Sequence, residues 1–221
     1  REYFNIDPTT TPLPVRYGIH YFMGGIYTDP SHRTSVGGLY SAGENACQYH
    51  GANRLGGNSL LGAYFGGLVA AETIASCADS RKTGTAEISE AVPLICEKLH
   101  TCVNRPGAYA QTVQRLQEAM QEALAISRDA AGLRKGLAAV KKLQNDFADT
   151  YDPYAAPDEN MLLPSRLILA EALIKGASDR KESRGAHNRS DYPERNEAYE
   201  KTHLYSYYDG AVHLSWREEN T

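Results

Sequence analysis

Most of the common site signatures are missing from this sequence. Its four cysteines (Cys47, Cys77, Cys96 and Cys102) form no CxxC pair, and its seven histidines form no HxxxH pair. Those spacings exclude a zinc ribbon and a helical metal site, so no metal ligands are assigned. The cysteines read as buried, reduced thiols. A net charge of -4 gives no basis for binding nucleic acid. No apolar run reaches the ~18 residues that cross a bilayer. The longest, Leu60 to Ala71, is broken by glycines and soon meets Glu72. No strand followed by GxGxxG occurs, which excludes a dinucleotide pyrophosphate loop within these residues.

What is present centres on one stretch, His50-Gly51-Ala52-Asn53-Arg54-Leu55-Gly56-Gly57-Asn58-Ser59-Leu60. Glycines, amides and one arginine stand directly before an apolar helical run. A helix start turns backbone N–H groups outward and carries partial positive charge, a natural seat for an anion or an electron-rich ring edge. Arg54 adds a planar cation that grips a carboxylate with two hydrogen bonds. Gly51 and Gly56 have P-loop spacing, but Gly57 occupies the place of the required lysine, so a P-loop is rejected. The bland alternative is a structural glycine turn ahead of a buried helix. Upstream, His20 is a candidate to donate a hydrogen bond or hold charge near neutral pH.

The pattern along the chain predicts three parts. Val15 to His20, Ile26 to Thr28 and Leu39 to Ala42 read as short strands, with turns at Gly24-Gly25 and at Asp29 to His32. Glu44 stands at the tip of the last strand, a common place to hold ribose hydroxyls. A helix from about Ser59 to Cys77 carries Gly62, Gly66 and Gly67, each costing roughly 1 kcal/mol relative to Ala. Close approach of a sheet or a ligand is the expected compensation; a membrane GxxxG face is the rival reading. After a polar break at Asp79 to Thr85, helical spacing of Tyr109, Val113, Leu116, Met120 and Ala123, then of Leu133, Leu137, Val140 and Phe147, predicts amphipathic helices. Pro106-Gly107 and Ala131-Gly132 mark their ends. Met161 to Ala177 reads as a last long helix. Asp209-Gly210 between Leu204–Tyr208 and Ala211–Trp216 reads as a type I′ hairpin turn.

Four blocks carry a family resemblance. His20-Tyr21-Phe22-Met23-Gly24-Gly25-Ile26, Leu39-Tyr40-Ser41-Ala42-Gly43-Glu44 and the string from His50 to Leu61 occur in an order and spacing that resemble the flavoprotein subunit of succinate dehydrogenase and fumarate reductase. Glu182-Ser183-Arg184-Gly185-Ala186-His187 with Asp191-Tyr192-Pro193 resembles the same family near its C-terminus. The resemblance implies an α/β plus α architecture. Residues 1–78 would be the C-terminal part of an FAD-binding domain, 84–178 a helical bundle, and 179–221 an extended segment with a hairpin.

The resemblance also implies roles. FAD would be shared with an N-terminal part that lies outside these residues. Glu44 matches the acidic residue that holds flavin hydroxyls. Asn58, Ser59 and Leu60 match the helix start facing the pyrimidine edge of the ring, and Tyr21 matches a flavin neighbour. His20 and Arg54 match the residues that grip a carboxylate of fumarate or succinate, with hydride passing at flavin N5. The family's proton-transferring arginine lies in a capping domain, so no catalytic residue is assigned here, and the 221 residues alone are expected to be inactive. Arg184 to His187 either brace the C-terminal segment against the flavin domain or border an iron–sulfur subunit. The family places the protein in the cytoplasm at the inner face of the membrane, touching it only through partner subunits. Phe22 and Gly62 depart from the frequent Thr and acidic residues. L-aspartate oxidase is the sibling alternative, although it usually has Cys at the position of Met23 and Met-Ala-Ser at Leu55-Gly56-Gly57. A non-catalytic dicarboxylate- or partner-binding domain is the other.

Overall fold

The computed structural model describes residues 7, 9–12, 18–46, 49–77, 93, 97 and 101–217. The chain divides into two compact units, Arg1–Cys77 and Ala78–Thr221. The strand expected from Val15 and the polar break at Asp79 lie largely outside the described residues.

The first unit is a set of tight loops closed by one helix, α1 (Asn58–Cys77). Asp29 organises the first loop: its Oδ1 accepts from the N–H groups of Ser31 (2.8 Å) and Arg33 (2.9 Å). Two of the expected strands are not strands. Ile26 makes a single parallel bridge to Ala46, and Tyr40 a single antiparallel bridge to Arg33. Turns at both ends leave three or four residues between them, too few for a ladder, and Ile26, Tyr27 and Leu39 are exposed. Gly43–Asn45 forms a single 3-10 turn.

Two of the glycines in α1 have a visible purpose. A Cβ at Gly66 would overlap the Tyr49 hydroxyl, and one at Gly62 would stand 3.3 Å from His50 Cε1. The close approach is thus made by side chains of the preceding loop, not by a sheet, and a Cβ at Gly67 would meet nothing within 4 Å. The outer face of α1 shows Leu60, Leu61, Tyr64, Phe65 and Leu68 to solvent. With 20 residues and Glu72 as its one charged side chain, α1 is long and apolar enough to cross a membrane by length and composition. That corrects the sequence expectation: glycines and alanines interrupt the run of large apolar groups without making the helix polar.

The second unit is built on α2 (Ala108–Ala123), α3 (Ala130–Phe147) and α4 (Pro157–Asp179). Their apolar stripes interlock in two adjoining clusters. One gathers Ala123, Leu133, Val140, Ala170 and Ile174; the other gathers Ala108, Leu143, Phe147, Leu163 and Leu167. Buried Ala119, Ala123 and Gly136 let α2 and α3 approach closely. The helix starts are capped from different sources. Asp129 caps α3, accepting from Gly132 N at 2.7 Å, so Gly132 lies inside the helix instead of ending it. Gly107 offers no side chain to α2; Asp152 does so from a distant loop, accepting from Tyr109 N at 3.0 Å. That loop is fixed by a two-residue parallel pairing of β1 (Val103–Asn104) with β2 (Thr150–Tyr151). α4 starts four residues before Met161, with Pro157 in its first turn and Glu159 accepting from Ala156 N at 3.0 Å.

The chain ends in an antiparallel hairpin, β3 (Thr202–Tyr208) and β4 (Ala211–Arg217), turning at Asp209-Gly210. Both turn residues have positive φ, 50° and 72°, as a type I′ turn requires. The register pairs His203 with Trp216, Tyr205 with Leu214 and Tyr207 with Val212 on one face. Val212 is buried, and a Cβ on Gly176 of α4 would overlap Tyr205.

Candidate functional site

The first unit joins two of the sequence blocks through one tyrosine. The Arg54 guanidinium carbon lies 4.6 Å from the centroid of the Tyr21 ring, within cation–π reach. The Tyr21 hydroxyl is hydrogen-bonded to His50 Nε2 at 3.1 Å. The two rings meet edge to face, with centroids 5.3 Å apart. Arg54 Nη1 donates to the Leu55 carbonyl at 3.2 Å, which pins one arm of the fork. Its Nε is buried and has no acceptor among the described residues. A planar carboxylate on the Nε–Nη2 edge would supply that acceptor and match the fork.

Behind this layer a second ring pair closes the loop on α1. His32 is buried with a positive φ of 64°, and its Nδ1 lies 2.7 Å from the Ser41 carbonyl. The Tyr49 hydroxyl is 3.0 Å from His32 Nε2, in the space left by Gly66. Sequence reasoning passed over His32, Tyr49 and His50. The signal for the last was its place at the head of the glycine-rich string.

The other expected residues stand as follows. His20 is exposed, one residue from Tyr21. Glu44 is exposed on its 3-10 turn, and its Oε1 accepts from Phe22 N at 2.8 Å, which ties two blocks together and leaves the other oxygen for hydroxyl groups. Asn58 and Ser59 are half-buried and Leu60 is exposed at the start of α1. The first turn of that helix holds no acidic side chain to oppose an anion or an electron-rich ring edge. This donor set fits the ring and ribityl end of a flavin.

The block from Glu182 to Asp191 lies in the second unit, and its groups are committed to structure. Glu182 is buried between Arg180 (2.6 Å) and Arg184 (2.9 Å), and it accepts from Asn196 N. Burial opposes its charge, but Arg184, the Asn196 N–H and Arg180 outweigh it and hold the carboxyl at about 2. Arg189 is paired with Asp191 and donates to the Ala177 carbonyl at 2.7 Å, which closes the end of α4. His187 Nε2 meets the Arg180 carbonyl at 3.1 Å, and its Nδ1 meets Arg128. Burial first, then the charges of Arg128, Arg180 and Arg189, lower its pKa to about 4, so it is neutral.

Comparison with known proteins gives the family. Residues 1–60 match the model of an FAD binding domain, and residues 113–221 match the model described as the fumarate reductase flavoprotein C-terminal region. A fumarate reductase flavoprotein subunit of Mycobacterium tuberculosis is 34% identical over 218 residues, covering 92% of this chain and 37% of its own length. An L-aspartate oxidase of Rhodospirillum rubrum is 36% identical over 189 residues, covering 85% of this chain and 61% of its own. Among solved structures, a quinol-fumarate reductase with menaquinol molecules superposes with a TM-score of 0.83 at 29% identity, over 99% of this chain and 40% of that one. The E. coli quinol fumarate reductase does so at 0.79 and 31%, over 97% and 39%. The chain spans less than two fifths of the length of the first curated relatives it matches. The match over residues 1–60 places the chain among FAD-binding flavoproteins. The chain belongs to the fumarate reductase and succinate dehydrogenase flavoprotein family.

Proposed function

We propose that this chain supplies the substrate-gripping and flavin-ring side of a flavoenzyme that interconverts fumarate and succinate. The observation that carries the reading is Arg54, laid on Tyr21 with its Nε lacking an acceptor among the described residues, in a loop that runs directly into α1. Arg54 would hold one substrate carboxylate on its fork, with His20 as the second donor. A carboxylate held by a guanidinium draws electron density from the adjacent carbon–carbon double bond, which favours hydride arriving there. Bound FAD supplies that hydride chemistry at N5. Glu44 would hold flavin hydroxyls, Tyr21 would border the ring, and Asn58, Ser59 and Leu60 would face its pyrimidine edge, where the helix dipole favours negative charge. We assign no general acid among these residues.

The pyrophosphate site would come from sequence outside these 221 residues, so this stretch by itself would hold FAD weakly and be inactive. An iron–sulfur subunit would exchange electrons with the flavin, in the cytoplasm at the inner face of the membrane. The neighbours' membership of quinol-fumarate reductases supports this reading. The domain scheme we favour keeps 1–78 as flavin domain, 84–178 as bundle and 179–221 as the extended segment. A second reading, aspartate oxidation, draws on the R. rubrum relative. The test is to offer the full-length flavoprotein fumarate with a reduced dye, succinate with an oxidised dye, and L-aspartate with oxygen. Turnover of the first two with aspartate untouched is the expected result. Flavin reduction by aspartate selects the second reading, and no flavin response to any dicarboxylate leaves only a non-catalytic binding domain.

A further inference from the structure

The guanidinium at the centre of the proposed site rests on an aromatic face, and the orientation of that face has to be set by something. Tyr21 has two anchors: its backbone next to Phe22, whose N–H is held by Glu44, and its hydroxyl on His50. His50 is itself held on several sides. The Tyr21 ring meets it edge to face, the Tyr49 ring lies 5.7 Å away, and the bare backbone of Gly62 closes against its Cε1 and Nε2 edge. A side chain at position 62 would crowd that edge at 3.3–3.4 Å. The residues at the head and middle of the glycine-rich string are thus linked through a residue 29 positions upstream of His50.

We propose that His50 is a positioning residue for Arg54 and acts through Tyr21. The inference rests on the reading of Arg54 as the carboxylate-gripping group. In this role His50 is neutral with Nε2 as the acceptor from the Tyr21 hydroxyl, and the contact fixes the rotation of the phenol ring. A donated hydroxyl proton also leaves more electron density on the ring, and a cation above the ring face is held more firmly as that density rises. The guanidinium is then fixed from below by the ring and at one end by the Leu55 carbonyl, and Nε, which has no acceptor among the described residues, is the donor left for a dicarboxylate. Loss of the hydrogen bond lets ring and guanidinium turn together, and a fork displaced by a fraction of an ångström loses part of its bidentate advantage.

The experiment measures the fumarate Kd of the oxidised, full-length, flavin-loaded protein by perturbation of the flavin absorbance and by calorimetry. His50→Ala and Tyr21→Phe are each expected to raise the Kd about five- to tenfold, and the double variant no further than either alone, because both remove one shared contact. His50→Gln, whose amide oxygen accepts a hydrogen bond at similar reach, is expected to recover to within about threefold of the unaltered protein. A purely structural histidine would not be rescued in this way, and Tyr21→Phe would then be silent. Unchanged Kd in Tyr21→Phe, or effects that multiply in the double variant, overturns the proposal. Tyr21→Phe removes only a hydroxyl, so it decides the matter even if His50→Ala fails to fold. Arg54→Lys, run in parallel, separates the two levels. If it weakens fumarate binding while the His50 and Tyr21 variants do not, the positioning role alone fails. If it leaves binding unchanged, the substrate site itself is elsewhere and both fail.

Discussion

His187 shows how much one residue's surroundings decide. Its ring is fixed as a donor to the Arg180 carbonyl and an acceptor from Arg128, with Arg189 nearby. A base whose pKa is lowered on folding, here from 6.5 to about 4, binds its proton more readily when unfolded. Its contribution is therefore fully present above pH 6.5 and is lost as the pH falls toward 4. His187→Gln keeps the donor but removes the titration, so its stability should stay flatter between pH 6.5 and 4 in denaturant melts taken across that range. Parallel curves for the two proteins would show that His187 does not bear this proton linkage. The carboxylates of Glu171, Glu182 and Asp191, each held at about 2, act in a separate window: their contributions persist above about pH 4.5 and are lost only as the pH falls toward 2. At this scale the sequence was uneven. Arg54 and Glu44 stand out because their residue types announce carboxylate and hydroxyl chemistry. His50 does not, because what it does depends on a tyrosine far upstream that only the folded loop brings to it.

Elements of the second unit were legible where apolar spacing was long and regular, as in α2, α3 and α4. Two misreadings at their ends have one cause. Ala131-Gly132 reads as a helix end, yet Asp129 caps the helix three residues before Gly132, and a glycine one turn in is tolerated. The apolar spacing starts only at Met161, whereas the helix opens at Pro157, because a proline in the first helical turn is favoured. The β1–β2 pairing is two residues long and non-local, so it leaves no periodic trace. The strands expected in the first unit failed for the opposite reason: their composition is strand-like, but turns on both sides leave no length for a ladder. The glycines of α3 offer a clean contrast. Position 132 has only ordinary neighbours, Asp129 Oδ1 at 3.5 Å and Glu122 O at 3.7 Å, whereas a Cβ at position 136 would overlap that of Ala123. Gly132→Ala should stabilise by up to about 1 kcal/mol through helix propensity. Gly136→Ala should destabilise by about 1–3 kcal/mol through overpacking between α2 and α3. Thermal melts of the two variants should move in opposite directions; the same direction for both would mean that the α2–α3 contact yields more easily than its geometry implies.

For the whole molecule, the division of labour follows from what each unit leaves undone. The second unit buries its stripes in two clusters of its own and ties its polar C-terminal block into salt bridges. The first unit keeps an apolar helix face exposed and carries an arginine whose buried Nε has no acceptor among the described residues. Unsatisfied donors and uncovered apolar surface are what a binding site shows when its ligand and remaining walls are supplied from elsewhere. The most direct test is the steady-state reduction of fumarate by the full-length flavoprotein carrying Arg54→Lys, with flavin occupancy read from absorbance. Lysine keeps the charge but loses the planar fork, so kcat/KM should fall at least about tenfold, roughly 1.4 kcal/mol of transition-state stabilisation, at unchanged flavin content. A variant that retains near-normal kcat/KM would make Arg54 a loop brace and contradict the site.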